Sequence, residues 1–325
     1  MVRPRTNRQR AEVTVIGAGT FGHAIADSIS RSEIRTALVT RSETRLERIR
    51  QMLARSSPYL MAQRLGDAPL GEYVFLALPS ADIAEVVGRL ASYHSEETLG
   101  YVSLSKGLTA PDGETPHELL SRRFGSIRSA VISGPSLADE MPKHGAHFVV
   151  ASSSHTLADK LVLLMDGEYT SATGSNDPTG IEWAGITKNA VTLGFHACLA
   201  ATGSLNQAGA FAGQLFTEIY DYALTMGASP RSFAGIAGIG DLMATSHAST
   251  SRNVRAGQLI GSGHSVGEAE ARIKQVVESL HTIPLLERRI NQDHAATTTP
   301  TITALSNRIV GNLAHEQWIA SLTSR

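Results

Sequence analysis

The chain has 325 residues, with 29 Lys and Arg against 30 Asp and Glu, a net charge of -1 and a pI near 6.9. This balance argues against a general nucleic-acid binder, which needs a basic field to neutralise phosphates, and no run of about 18 apolar residues is present to span a bilayer. A 42% hydrophobic and 18% charged composition excludes wholesale disorder, and the single cysteine, Cys198, excludes a disulfide framework or a cysteine-built metal centre.

Length predicts two domains in a soluble, cytoplasmic protein. The first ten residues carry Arg3, Arg5, Arg8 and Arg10 and no acid. The segment has no apolar stretch, so a solvated, frayed tail is expected in preference to a targeting peptide. Val13 to Ile16 predicts a strand that stops at a glycine turn, after which Ala24-Ile25-Ala26 begins a helix. Apolar runs at 37–39, 73–78, 101–104, 130–132 and 148–150 predict further strands, and the charged segments 42–54 and 81–91 have helical spacing. Such alternation predicts a parallel sheet covered on both faces.

Near residue 178 the texture changes. Asp177-Pro178 offers a capping oxygen followed by a residue whose φ is pre-set for a first helical turn. Residues 181–202 are apolar and rich in Ala and Gly, and further helices are predicted at 208–226, 252–261, 267–280 and 301–313. The expected division is an α/β dinucleotide-binding domain over 11–178 and an all-α domain over 179–325.

Gly17-Ala18-Gly19-Thr20-Phe21-Gly22 fits G-x-G-x-x-G between a strand and a helix. The first glycine permits the tight turn, the second lets backbone approach a pyrophosphate, and the third lets the helix pack on the strand. Free amides at the helix start would face the phosphates. At the end of the second strand an acid would accept from the ribose of NAD. Here Val39-Thr40-Arg41-Ser42 stands instead, and Arg41 facing a 2′-phosphate favours NADP over NAD, with Glu43 nearby keeping both open.

Lys188 interrupts an apolar helix, either snorkelling to water or held in a cleft where desolvation suits it to proton transfer. Residues 238–245 read as a glycine loop with one acid, Asp241. Ser249-Thr250-Ser251-Arg252-Asn253 offers either a phosphate or carboxylate site or a polar helix cap at Ser251. Ser105-Lys106-Gly107 and Ser133-Gly134-Pro135-Ser136 each end an apolar run, where open α/β sheets place their ligand crevice. His144 and His147 lack an acidic partner motif, so no metal site is predicted. His247 is expected to be a solvated loop residue, and Cys198 a packed one.

The motifs GAGTFG, LSKGL, SGPSLADE, TKNAV, GIGDLMAT, TSRN and QVVES occur in this order between about residues 13 and 310. Together they resemble the bacterial NAD(P)-dependent glycerol-3-phosphate dehydrogenase family. The resemblance implies a Rossmann-type N-terminal domain, a helical C-terminal domain and reduction of dihydroxyacetone phosphate to sn-glycerol 3-phosphate. It implies Lys188 as proton donor and acceptor with Asn189 beside it, Lys106 near substrate and nicotinamide, and Asp241 supporting the catalytic lysine with Thr245 nearby. It further implies Ser251, Arg252 and Asn253 at the substrate phosphate, with Arg252 also facing the cofactor, and Gly134 and Ser136 at the substrate. Ala138, Val276 and Glu278 fall at cofactor contacts, and Phe21 takes the place of the turn's usual aromatic. The expected partner is a small phosphorylated ketone or alcohol, with no nucleic acid or membrane insertion, in a homodimer.

Hydride addition to a ketone builds charge on its oxygen, which an ammonium can stabilise and protonate, while an anchored phosphate holds the reacting carbon in place. The sequence departs from the family in the short segment 57–71, which lacks a Y-L-P-G-like stretch. It departs again at Gly203-Ser204-Leu205-Asn206-Gln207-Ala208, where G-D-N-A-R is usual, and at Gln214, where an arginine is expected. These departures leave open a paralogue acting on another small phosphorylated ketone, or an inactive NAD(P)-binding interaction protein. Retention of Lys106, Lys188 and Asp241 counts against the latter.

Overall fold

A computed structural model describes residues 10–53, 57–293 and 298–323. Arg3, Arg5 and Arg8 of the basic tail lie outside the described residues. Arg10 donates to the Leu70 carbonyl and pairs with Glu97.

Among the described residues eight strands form one sheet: β1 Val13–Ile16, β2 Thr36–Thr40, β3 Leu60–Arg64, β4 Tyr73–Leu76, β5 Gly100–Ser103, β6 Ser129–Ser133, β7 Ala146–Ser152 and β8 Thr170–Ser175. Their spatial order is β3-β2-β1-β4-β5-β6-β7-β8. The order reverses at β1, which pairs with β2 on one side and β4 on the other, so a crevice opens beyond the carboxyl ends of β1 and β4. Strands β1, β2, β4, β5 and β6 are buried along their whole length, as a sheet covered on both faces requires.

Two expectations about the sheet need correction. The sheet is not wholly parallel, because β7 runs antiparallel to β6. The link from Gly134 to Gly145 holds only a four-residue helix and turns back at the end where β6 finished, instead of crossing the sheet. Strands β3 and β8 were also not expected. Both lie at sheet edges, half-exposed, and TSATGS in β8 has no apolar run to reveal it.

Six helices belong to this sheet layer: α1 Thr20–Arg31, α2 Glu43–Leu53, α3 Ser80–Leu90, α4 Pro116–Phe124, α5 Met141–His144 and α6 His155–Met165. In α1, Gly22, Ile25, Ala26 and Ile29 form the buried face, at the spacing that one side of a helix demands. Nine more follow: α7 Pro178–Thr202, α8 Leu205–Thr225, α9 Pro230–Ala234, α10 Asp241–His247, α11 Arg252–Gly261, α12 Val266–Ile273, α13 Glu278–Asp293, α14 Pro300–Val310 and α15 His315–Thr323.

Asp177 caps α7, accepting from the Gly180 amide at 2.8 Å. From Ile181 to Gly194 every residue of α7 is buried, so this helix is the axle of the second layer, around which α8 and α11 pack. The predicted helix 267–280 is in fact the end of α12 and the start of α13, separated at Lys274, which adopts a left-handed conformation at φ 59. The expected glycine loop 238–245 is helical: residues Ile236–Gly240 form a π turn that runs straight into α10. Glycine content suggested a loop there, but the wide turn is held by the Gly240 amide donating to the Gly235 carbonyl.

The two layers are joined by buried polar contacts. Arg289 of α13 forms a two-pronged pair with Glu118 of α4 at 2.7 and 2.8 Å and also donates to the Gly113 carbonyl and the Tyr222 hydroxyl. Glu182 of α7 accepts from the His117 amide at the start of α4 at 2.8 Å. Burial pushes the Glu182 carboxyl up to about 8.

Candidate active site

The carboxyl end of β1 delivers the glycine turn. Gly17 sits at φ +114, and a Cβ there would overlap the Ala77 carbonyl at the end of β4. A Cβ at Gly22 would overlap the Gly17 carbonyl, so α1 can approach β1 only with glycine in this place. Gly19, by contrast, has nothing within 4 Å of where its Cβ would stand, and no side chain caps the amides that open α1. An open approach to uncapped amides at a positive dipole end fits a pyrophosphate, with Thr20 and Phe21 on its flank. Gly22→Ala should displace α1, destabilise the fold by about 1–3 kcal/mol and weaken dinucleotide binding by moving the amides that open the helix. Fluorescence titration with reduced dinucleotide measures this, and unchanged affinity would show that the close approach is dispensable.

Two other strand ends converge nearby. The loop after β5 carries Lys106, anchored by the Ser105 hydroxyl donating to the Leu78 carbonyl at 2.6 Å. The turn after β6 carries Gly134, whose carbonyl accepts from Lys106 Nζ at 3.1 Å and from the Ser136 hydroxyl at 3.0 Å. Across from them stand Lys188 on α7 and Asp241 at the start of α10. Lys106 Nζ lies 2.6 Å from Asp241 Oδ2, and Lys188 Nζ lies 3.2 Å from Asp241 Oδ1. Lys188 also donates to the Thr245 hydroxyl at 2.8 Å, which in turn donates to Asp241 at 3.1 Å.

Lys188 is 7% exposed and therefore held in the cleft instead of snorkelling out. Burial lowers its ammonium to about 8; Asp241 works in the opposite direction, and the Lys106 charge lowers it further. Burial alone would raise Asp241, but the Lys106 and Lys188 ammonium groups override it and hold the carboxyl below its usual range. One carboxylate shared by two lysines holds two ammonium groups close together in a largely dry site, which suits a developing oxyanion.

Asn189, one residue beyond Lys188, donates to the Lys106 carbonyl at 3.0 Å, and its Oδ1 accepts from Asn253 at 2.7 Å. Ser251 precedes α11 as its N-cap, without a side-chain capping bond, and Arg252 opens the helix. Arg252 donates to the Val276 carbonyl at 2.9 Å, bringing those two residues together. The Glu278 carboxylate accepts from the Ser80 amide at 2.8 Å and from the Lys106 amide at 3.2 Å. Sequence reasoning missed Ser80, Ser279 and Thr282. Ser279 and Thr282 are buried polar residues on a helix whose other buried positions are chiefly apolar, and that interruption was the available signal.

Other expected residues stand apart from the lysine cluster. Arg41, at the end of β2, pairs with Glu85 at 2.9 Å and Asp82 at 3.3 Å on α3. Ala138 is half-buried in the turn before α5. His247 lies on α10, its ring against the Met243 carbonyl at 2.9 Å, and His147 bonds to Ser171. Cys198 is fully buried in the helical core. The unusual segment 203–214 begins about 22 Å along α7 from Lys188, at 1.5 Å per residue, and Gln214 faces Thr301 of α14. Among the described residues no group of three or more His, Cys, Asp or Glu is arranged to hold a metal, and no helix is long and apolar enough to cross a membrane.

Residues 12–158 match the model of the NAD-dependent glycerol-3-phosphate dehydrogenase N-terminus, and residues 177–320 that of its C-terminus. Glycerol-3-phosphate dehydrogenase (NAD(P)+) of Pseudomonas syringae pv. tomato is 30% identical over 256 residues, covering 74% of this chain and 73% of the relative. The enzyme of that name from Pseudomonas putida is 29% identical over 258 residues, covering 75% and 74%. The crystal structure of glycerol-3-phosphate dehydrogenase from Coxiella burnetii shares the fold, with a TM-score of 0.87 at 24% identity over 97% of this chain and 99% of that one. The two lysines on one carboxylate, the glycine turn and these matches lead to one assignment: the chain belongs to the NAD-dependent glycerol-3-phosphate dehydrogenase family.

Proposed function

We propose that the chain catalyses the reversible reduction of dihydroxyacetone phosphate to sn-glycerol 3-phosphate, with residues 11–178 holding the dinucleotide and residues 179–325 supplying most of the substrate site. The observation that carries this reading is the Asp241 carboxylate bridging Lys106 and Lys188 beside the cofactor crevice. The bound dinucleotide supplies the hydride. Lys188 delivers the proton to the substrate oxygen and recovers it in reverse, while Lys106 stabilises charge on that oxygen. Asp241, with Thr245, holds both ammonium groups on one point. Ser251, Arg252 and Asn253, with Asn189, Gly134 and Ser136, are the groups we assign to the substrate and its phosphate. Gly17, Gly19, Thr20, Phe21, Gly22, Ala138, Val276 and Glu278 are those we assign to the dinucleotide.

NADP is the favoured dinucleotide in this reading, because Arg41 ends β2 where an acid would serve NAD; Asp82 and Glu85 hold that guanidinium beside the site. A cytoplasmic homodimer completes the proposal. The test is consumption of NADPH and NADH with dihydroxyacetone phosphate and a panel of other phosphorylated ketones. Folded protein inactive with both cofactors on dihydroxyacetone phosphate would sink it. A much higher kcat/KM on another ketone would replace the substrate.

The direction of the Lys188 shift fixes the pH dependence. Ketone reduction needs the protonated amine, so kcat should fall as pH rises through about 8, whereas alcohol oxidation needs the neutral amine and should rise through the same region. Parallel limbs in the two directions would exclude Lys188 as the group responsible.

A further inference from the structure

The catalytic reading treats Lys106 as a side chain, yet its backbone makes as many hydrogen bonds as its ammonium group does. Its amide donates to Glu278 Oε2 at 3.2 Å, and its carbonyl accepts from Asn189 Nδ2 at 3.0 Å. Asn189 Oδ1 accepts from Asn253, and Asn253 Oδ1 accepts from the Ser279 hydroxyl at 2.5 Å. Ser279 is the neighbour of Glu278, so the chain of bonds returns to its start. Two residues on, the Leu108 amide donates to Thr282 Oγ1 at 3.2 Å. Between them Gly107 lies flat on α13: a Cβ there would stand 2.5 Å from Thr282 Oγ1 and 2.6 Å from Glu278 Cγ.

We propose that α13 acts as a clamp on the loop 105–108, with Thr282 and Ser279 as positioning residues that hold the Lys106 peptide in place and so keep its ammonium group on Asp241. The proposal rests on the reaction assigned above. A lysine side chain has four rotatable bonds and no planar fork to hold it, so its head is fixed only when its backbone and its partner are both fixed. Here the loop comes from the sheet layer, while the residues that grip it come from α7, α11 and α13 of the helical layer. Ser279 and Thr282 are 1% and 2% exposed, which places them beyond direct contact with solvent and makes their hydroxyls structural groups serving a neighbour. Neither hydrogen-bonds to Lys188 or Asp241; they act through Lys106.

Release of the clamp has a consequence that general loosening does not. Lys188 is faced by Asp241 from α10, Lys106 from the loop after β5 and Glu278 from α13. If Lys106 withdraws, Lys188 loses a neighbouring positive charge and gains a larger share of Asp241. Both changes favour its protonated form, so the limb of the kcat profile moves to higher pH.

The test compares Thr282→Val, which keeps shape and removes the hydroxyl, with Thr282→Ser, which keeps the hydroxyl. Two readouts are taken: hydrogen exchange at Leu108 in the protein without added ligands, and the pH profile of ketone reduction. Thr282→Val should exchange faster at Leu108, lose roughly tenfold in kcat and shift the falling limb to higher pH. Thr282→Ser should restore all three. Ser279→Ala opens the ring at Asn253 and should change kcat and the limb in the same sense, which keeps the idea testable if the valine variant folds poorly. Unchanged exchange in Thr282→Val would overturn the clamp. Faster exchange with wild-type kcat and limb would overturn its catalytic role, and a loss shared equally by Thr282→Ser would assign the effect to packing and overturn it too. Wild-type inactivity on every ketone would sink the reaction itself, while exchange at Leu108 would still report on the grip of α13.

Discussion

Lys188→Met is expected to lower kcat by about 10³-fold or more, while reduced dinucleotide still binds. A positioned acid contributes about 10²–10⁴ to such a reaction, and the same ammonium also stabilises charge on the oxygen it protonates. Methionine fills a comparable volume without charge, so the 7% exposed cavity around residue 188 stays packed. The glycine turn is built from β1, β4 and α1, none of which carries Lys188, and this is why binding should survive. Steady-state kinetics and a binding titration on the same preparation separate the two effects. A methionine variant with wild-type kcat would remove Lys188 from the chemistry.

Asp241→Asn should fail in two ways at once. Without the carboxylate, two ammonium groups face each other in a buried site, and breaking a buried pair in this way costs about 3–5 kcal/mol unless the stranded partner sheds its proton. Lys188 would shed it first, because burial and Lys106 already push it down. The acid needed for reduction is then largely absent at neutral pH, and kcat should fall by about 10²–10³. The stability loss has a defined pH dependence. The Asp241 carboxyl is held below its ordinary value in the folded protein. Its contribution is therefore full above the unfolded aspartate range and is lost as pH falls through the lower, folded value. Denaturation of wild type and Asp241→Asn should differ most near neutrality and converge in acid. A constant difference across that range would show that the charge is not what stabilises.

The central strands and most long helices were legible because each carries a pattern that burial enforces. Val13 to Ile16 is buried throughout and apolar at three of its four positions since both faces are covered, and α7 announces itself through Asp177-Pro178. Strands β3 and β8 were not legible, because edge strands escape that requirement. The π turn before Asp241 was hidden for a different reason: three of the six residues from Gly235 to Gly240 are glycines, as a loop would use, and only tertiary packing makes the segment helical. At the site, charged residues in motif order could be placed from sequence. The grip of Glu278, Ser279 and Thr282 on the Lys106 peptide could not, since backbone hydrogen bonds between residues more than 170 positions apart leave no local trace.

The seam between sheet layer and helical layer has a thermodynamic consequence. Arg289 and Glu118 come from different layers, as do Glu182 and the His117 amide it caps. Melting either layer alone strands a charge or an amide in the layer that remains, at a cost of about 3–5 kcal/mol for the ion pair. Partial melting is thereby the expensive route, and the chain has reason to lose both layers in one cooperative event. The glycine turn and the helical layer then share a single stability, so a ligand that binds one protects the other.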